Sequence, residues 1–400
     1  MSRFLRSCLA LAALVALALP VHAQVGGAAV VFLQIEPDSR AAGMGNAGVG
    51  LADNASAVFW NPAGLAFQDG IEASMTVSQW LPSLQADLYY YYLSGKYAID
   101  GIGTFGAHIT YLDLGEQEYR GQNNEDLGVF SAGELAVGLS YGGRVTENFA
   151  LGGGVRFIYS NLTDGATLVG GQQTNAGVSV GFDFSGLWRA PSFNLGSVVM
   201  EPNLGFNLAN MGPTIQYVDG EQRDPIPTNL RFGGAMTAFL DDFNRVSLAL
   251  DFTKTLIDFE DSVDDNGNPT RQPKSFMTSI FSAWQPISVD LNPTDNESGE
   301  NPVSEADEYS CDLDTSCREL GVLEQLTIGL GLEYWYDDLF AIRAGYFYEN
   351  PYNGNREYLT FGAGIRYQII GVDLSYIYAV EENSPLSDTI RFSLLLNVLN

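Results

Sequence analysis

Basic residues, cysteines and histidines are scarce in this 400-residue chain: 19 Lys and Arg stand against 48 Asp and Glu, with three Cys and two His. So few cations exclude nucleic acid as a partner, because its phosphates need a positive face. No unbroken apolar run approaches the roughly 20 residues of a membrane-spanning helix, which excludes a helical inner-membrane protein. The one early run, Leu9 to Leu19, follows Arg3 and Arg6 and precedes Val21-His22-Ala23. That is the layout of a secretory signal peptide, so cleavage is expected between Ala23 and Gln24. Arg3 and Arg6 leave with it, and the mature chain is more acidic still. Cys8 leaves too, and no cysteine sits just after the cut, so a lipoprotein anchor has no attachment residue. Cys311 and Cys317 remain close together in a compartment that permits disulfides; a local bridge and two free thiols both fit. The acidity itself fits either a salt-rich habitat or an acidic binding face.

What is present is a two-residue period, repeated from Ile71 to the end of the chain. Leu326, Ile328, Leu330, Leu332, Tyr334 and Tyr336 alternate with Thr327, Gly329, Gly331, Glu333 and Trp335. Ile390, Phe392, Leu394, Leu396 and Val398 share a face opposite Arg391, Ser393, Leu395 and Asn397, and Leu135, Val137, Leu139 and Tyr141 repeat the pattern. This is the signature of strands with one apolar face. Strands are expected near 71–81, 86–97, 101–114, 131–145, 149–162, 176–188, 198–208, 229–239, 246–255, 326–336, 339–347, 359–368, 370–378 and 389–398. Most are long enough to cross a bilayer at a tilt.

The connections alternate between short and long, as the periplasmic turns and outer loops of a membrane barrel do. The tight turns are Ile99-Asp100-Gly101, Thr146-Glu147-Asn148, Leu240 to Arg245, Tyr336-Asp337-Asp338 and Ile369-Ile370-Gly371, with Arg189 to Ser197 somewhat longer. The long connections are 115–130, 163–175, 209–228, the strongly acidic 256–325, 348–358 and 379–388. An all-β chain is therefore expected: a transmembrane antiparallel β-barrel of about fourteen strands, with both termini in the periplasm. Trp80, Tyr89 to Tyr92, Trp188, Trp335 and Tyr336 suit interfacial girdles. A secreted sandwich or propeller is the competing architecture, and strand length and loop alternation oppose it.

The segment before Ile71 has no strand period and contains Asn61-Pro62-Ala63. Asn-Pro is in itself a turn signal. Standing just ahead of fourteen strands, the tripeptide resembles the Asn-Pro-Ala motif of FadL-like barrels, in which an N-terminal hatch plugs the lumen. The resemblance narrows at Ile35-Glu36-Pro37-Asp38-Ser39-Arg40-Ala41-Ala42-Gly43-Met44-Gly45, which is similar to the hatch opening of the PorV family of the type IX secretion system. Leu332 to Tyr336 running into Ala341 to Pro351 resembles that family as well, as do Asn383-Ser384-Pro385-Leu386 and Thr389 to Ser393. The long acidic 256–325 loop and an ending of Val398-Leu399-Asn400, without a terminal aromatic, depart from the pattern. The implied division is a signal peptide over 1–23, a hatch over 24–70 and a barrel over 71–400.

Three motifs invite other readings. Gly43-Met44-Gly45-Asn46-Ala47-Gly48 fits a dinucleotide fingerprint, but the strand-turn-helix context and the acidic ribose ligand that pattern requires are not visible. The glycines read instead as tight bends packed against the barrel wall. His108, alone in the mature chain, could serve a serine hydrolase only beside a serine that nothing in the sequence selects. Asp261, Asp264, Asp265, Asp312 and Asp314 offer oxygen donors for calcium without a loop spacing.

The resemblance implies a non-enzymatic outer-membrane protein without a cofactor. It would take cargo bearing a C-terminal β-domain from a secretion translocon barrel and deliver it to a sortase and attachment complex, among outer-membrane lipid. The alternative is a FadL-like passive transporter of hydrophobic small molecules, which requires a continuous apolar pocket and a lateral opening. A lipid-modifying enzyme is the third reading.

Overall fold

A computed structural model describes residues 27–84, 87–120, 126–163, 174–218, 223–263, 269–290, 317–381 and 384–399. Ala23, Gln24, Cys311 and the Cys317 side chain lie outside that description, and so do the cleavage and disulfide expectations.

Fourteen antiparallel strands form the wall: β1 (Ile71–Gln79), β2 (Tyr89–Ile99), β3 (Gly103–Arg120), β4 (Asp126–Arg144), β5 (Phe149–Asn161), β6 (Gly177–Arg189) and β7 (Val198–Met211) make one half. The other half is β8 (Asn229–Phe239), β9 (Asn244–Thr255), β10 (Leu326–Tyr336), β11 (Phe340–Tyr348), β12 (Glu357–Tyr367), β13 (Ile370–Ala379) and β14 (Ile390–Leu399). Each pairs with its sequence neighbours, and β1 pairs with β14 in a register that sets Thr76 opposite Ser393, so the sheet closes. Closure leaves no edge and satisfies every ladder group within lipid.

The period-two pattern sorts the side chains as expected. Leu330, Leu332, Ile342, Phe392 and Leu394 point outward and are exposed, whereas Glu333, Arg343, Asp373, Arg391 and Ser393 point inward and are buried. Polar-in and apolar-out is the inverse of a water-soluble protein and the arrangement of a membrane barrel. The short turns have the chemistry their geometry requires. Asp337 and Asp338 both take positive φ between β10 and β11, and Leu339 N–H donates to Tyr336 O at 3.0 Å, the left-handed pair of a type I′ turn.

Three expectations are corrected. The 115–130 connection is mostly strand, because β3 and β4 continue to Arg120 and from Asp126. Tyr90, Tyr92 and Trp335 are not girdle residues but inward and buried, since in an alternating run only every second aromatic reaches lipid. The third concerns the chain start. Strand parity places Ile71 and Leu399 together at the short-turn end. Gly27, however, lies against the Phe259 ring, and Ala29 donates to Pro225 O at 3.0 Å, both at the long-loop end. The even strand count fixes where β1 begins, not where the chain before it has been.

The outer connection between β9 and β10 carries two small antiparallel strand pairs, Phe259–Val263 with Pro269–Pro273 and Ile287–Asp290 with Cys317–Leu320, and a short helix, Phe276–Ser282.

Candidate functional site: the filled lumen

Residues 27–70 run down the inside of the barrel from the long-loop end to the short-turn end. At the top, Phe32, Leu33 and Ile35 pack with Tyr90, Tyr92, Leu112 and Ile158 of the wall and with Ile215 and Ile226, which fold in from an outer loop. At the bottom, Ala98 donates to Gly70 O at 3.0 Å, and the Ala55 N–H donates to Glu72 Oε1 at 2.8 Å.

Short turns, two α-helical (Ser39–Ala42 and Ala57–Trp60) and two 3-10 (Val31–Gln34 and Pro62–Phe67), satisfy only part of the segment's backbone, and the remaining buried peptide groups must find partners. The inward polar side chains provide them. Gly45 N–H donates to Thr360 Oγ1 at 2.9 Å, Gly48 and Val49 N–H to Asp251 Oδ2 at 2.7 and 2.8 Å, and Ala63 N–H to Ser185 Oγ at 2.9 Å. Asn203 and Asn207 donate to Gly50 O and Phe59 O, and Arg144 to Ala66 O. Ser39 binds Ser393 Oγ, which also meets Thr76 Oγ1 at 2.7 Å across the β1–β14 seam. Asp38 caps the first turn through Ala41 N–H and accepts from Trp60 Nε1 at 2.6 Å; burial pushes its carboxyl above the usual range against those two bonds.

Glycines on the inward face are slots for this backbone. A Cβ on Gly345 would lie 2.0 Å from Gly45 N, one on Gly329 2.4 Å from Gly45 O, and one on Gly331 2.5 Å from Met44 O. On the other side of the lumen, Gly152 meets Ala63 N at 2.2 Å and Gly142 meets Pro62 O at 2.5 Å. Met44-Gly45 and Pro62-Ala63 are thus two bends seated on opposite walls. Gly45 itself has φ +62 with the backbone of Leu330 and Tyr346 against it, which is the tight-bend reading of the Gly43 to Gly48 motif.

Asn61, Pro62 and Ala63 come together at the second seat. Asn61 Oδ1 caps Ala63 N–H at 3.1 Å, while its Nδ2 donates to Val49 O and Gly186 O at 3.2 and 3.1 Å. Pro62 opens the following 3-10 turn, where a missing N–H costs nothing. Asn61→Ala removes the cap and leaves buried carbonyls short of a donor, a loss of roughly 1–3 kcal/mol. The urea concentration that exposes this segment to protease is expected to fall accordingly, with the barrel's heat-modifiable mobility on gels unchanged.

The segment is also held by charge. Arg40 bonds Asp53 and reaches Glu333 twice, Nη2 to Oε1 at 2.7 Å and Nε to Oε2 at 2.8 Å. Arg343 joins Glu333 at 2.7 Å to Asp373 at 2.8 Å, and Arg366 closes on Asp373 at 2.6 Å. Three acids and three bases alternate. A second tie runs from Glu36 to Arg391 at 3.2 Å, with Asn46 on Glu36 at 2.6 Å. Residue-by-residue reading of the sequence passed over Arg40, Arg343 and Asp373. The available signal was charge on the inward positions of strands whose other face is apolar.

His108 faces the lumen and stacks on Tyr92 at 6.0 Å; its Nδ1 has no hydrogen-bond partner among the described residues, so no serine is linked to it there. Asp261 sits opposite Arg271 in the outer hairpin, and Asp264, Asp265, Asp312 and Asp314 lie outside the described residues. A small cleft between Arg40, Met44, Leu51, Asp53 and Trp60 lies within the inner segment; its lining is mixed, polar and apolar together.

Residues 21–261, well over half the chain, match the family model described as type IX secretion system protein PorV. No curated protein matches. Similar solved structures include the toluene transporter TbuX of Ralstonia pickettii, with 15% identity, a TM-score of 0.48 and coverage of 91% of this chain and 98% of that one. Another is a FadL homologue of Pseudomonas aeruginosa, with 14% identity, a TM-score of 0.43 and coverage of 90% and 98%. The chain belongs to the PorV family of type IX secretion system proteins, and it is an outer-membrane β-barrel.

Proposed function

We propose that this barrel is a carrier: it receives folded cargo bearing a C-terminal β-domain as that cargo leaves the secretion translocon, and passes it to the cell-surface sortase and attachment complex. On this reading the chain is exported by its signal peptide, residues 27–70 are the hatch, and Asn61, Pro62 and Ala63 lock it. The observation that carries the reading is the lumen filled from one mouth to the other. A hydrophobic-molecule transporter needs a continuous apolar passage, whereas a carrier works outside the barrel and benefits from a sealed one.

The outer loops 209–228, 256–325 and 348–358 are the contact surface in this proposal. The 256–325 loop offers exposed apolar side chains for it. Phe281 and Leu323 are 77% and 80% exposed, Met277, four residues before Phe281, is exposed as well, and Gln325 Nε2 donates to Gln285 O at 3.0 Å, which ties the two stretches together. An exposed aromatic side chain becomes an interface anchor when a partner buries it in a pocket.

Affinity capture of the tagged protein from native outer membranes, with partners identified by mass spectrometry, tests the proposal. A translocon barrel, a sortase or several proteins sharing a C-terminal β-domain are expected. The triple variant M277S/F281S/L323S is expected to fold, reach the outer membrane and lose at least tenfold in recovered partner, the order of two interface anchors. Recovery of the barrel with lipid alone would overturn the carrier and favour the transporter.

A further inference from the structure

Arg231 and Asp251 stand out as charges that the closed lumen leaves incomplete. Arg231, on β8, is buried, yet among the described residues it has no ion pair and no hydrogen bond, and its Nη1 is unpartnered. It lies over the rings of Phe59 and Trp60 at 4.3 and 5.4 Å. Asp251, on the adjacent β9, gives Oδ2 to the Gly48 and Val49 N–H groups, while Oδ1 has no partner. A guanidinium is always charged, and a buried charge without a counter-ion is costly.

These two side chains face each other across one ladder. Arg231 is opposite Thr253, so Asp251 is two residues along on the same inward face, a diagonal of about 7–8 Å that a long side chain spans. Asp251 Oδ1 also leans toward that strand: it lies 2.0 Å from where a Cβ on Gly233 would be. Both charges are held apart by the inner segment, one by its aromatic rings and the other by its backbone.

We propose that Arg231 and Asp251 form an ion pair in waiting. When the inner segment withdraws, Phe59, Trp60, Gly48 and Val49 leave, and the two side chains close on each other, so that the open barrel is stabilised by a bond the closed one does not have. The inner segment then works against a two-state element of the wall, not a passive tube. The inference rests on the hatch reading of residues 27–70, and its test separates the two.

Purified full-length protein in planar lipid bilayers at fixed voltage gives the probability of opening. The cycle compares wild type, Arg231→Gln, Asp251→Asn and the double variant. Arg231→Gln removes the ring contacts in both backgrounds but the waiting pair only where Asp251 is present. Its effect on opening probability is therefore expected to be about tenfold less favourable in the wild-type background than in the Asp251→Asn background, the size of a contact-pair coupling. Arg231→Met, which keeps much of the side chain's length without its charge, replaces Arg231→Gln if the latter does not fold, and is expected to give the same difference between the two backgrounds. Openings with equal ratios in both backgrounds would overturn the ion pair and leave a movable hatch; no openings in any variant would overturn the ion pair and leave residues 27–70 a fixed plug, as the carrier reading allows.

Discussion

Gly345→Val is expected to expel the inner segment from a barrel that still closes. Gly345 is bonded on both sides, opposite Gly331 on β10 and Thr360 on β12, so the wall cannot step back. The new Cβ would stand 2.0 Å from Gly45 N and 2.3 Å from the Met44 carbonyl carbon, and backbone, unlike a flexible side-chain end, has no rotamer by which to move away. Overpacking a tight core costs about 1–3 kcal/mol even where neighbours adjust; here the adjustment available is undocking. Valine suits a strand, so the sheet itself is not harmed. Arg40 is the only Lys or Arg between residues 27 and 70, which makes trypsin a reporter: cleavage after Arg40 is expected to rise from trace to near completion in folded, heat-modifiable barrel. An uncut variant would mean that the seat does not hold the segment.

Glu333→Ala should act through charge instead of shape. Glu333 has a fully buried side chain and accepts from both Arg40 and Arg343. Removing it leaves Arg343 with Asp373, but Arg40 keeps only Asp53, whose side chain is 43% exposed. Stripping one partner from a buried pair costs about 3–5 kcal/mol, because the surviving charge stays out of water. Glu333→Gln preserves size and one acceptor oxygen, so its loss is expected to be smaller. Measured as the urea concentration at which Arg40 becomes cleavable, the order should be wild type, then Glu333→Gln, then Glu333→Ala. High salt is expected to change that order little, since the pair is buried and poorly screened. Equal midpoints for all three would remove the charge ladder from the account of docking.

Alternation in Leu326 to Tyr336 fixes both the strand and its faces, because lipid and lumen impose opposite chemistry at successive residues. The same alternation underdetermines meaning. Gly329, Gly331 and Gly345 look like small inward residues of no particular purpose until the Met44-Gly45 bend is seen seated on them. Asn61, Pro62 and Ala63 were legible because their chemistry is local: a cap, a fixed φ and a turn. Arg40 with Glu333 was not, since the partners are far apart in sequence and meet only when the sheet closes. The start of the chain was misplaced for a related reason. Counting strands says nothing of a segment that has no period and crosses the lumen lengthwise.

That crossing bears on the order of assembly. The inner segment begins beside Phe259 and Pro225 and leaves the lumen at Ile71, the first residue of the strand that completes the β1–β14 seam. A barrel that closed empty would have to draw some forty residues upward through its own bore, past inward side chains that offer its backbone partners at every level. A barrel that zips from β2 onward with its leading residues already laid along the wall meets no such obstacle. The seam is then the last joint to form, and Ser393, bonded at once to Ser39 and Thr76, is the point where the closing wall and its contents register with each other.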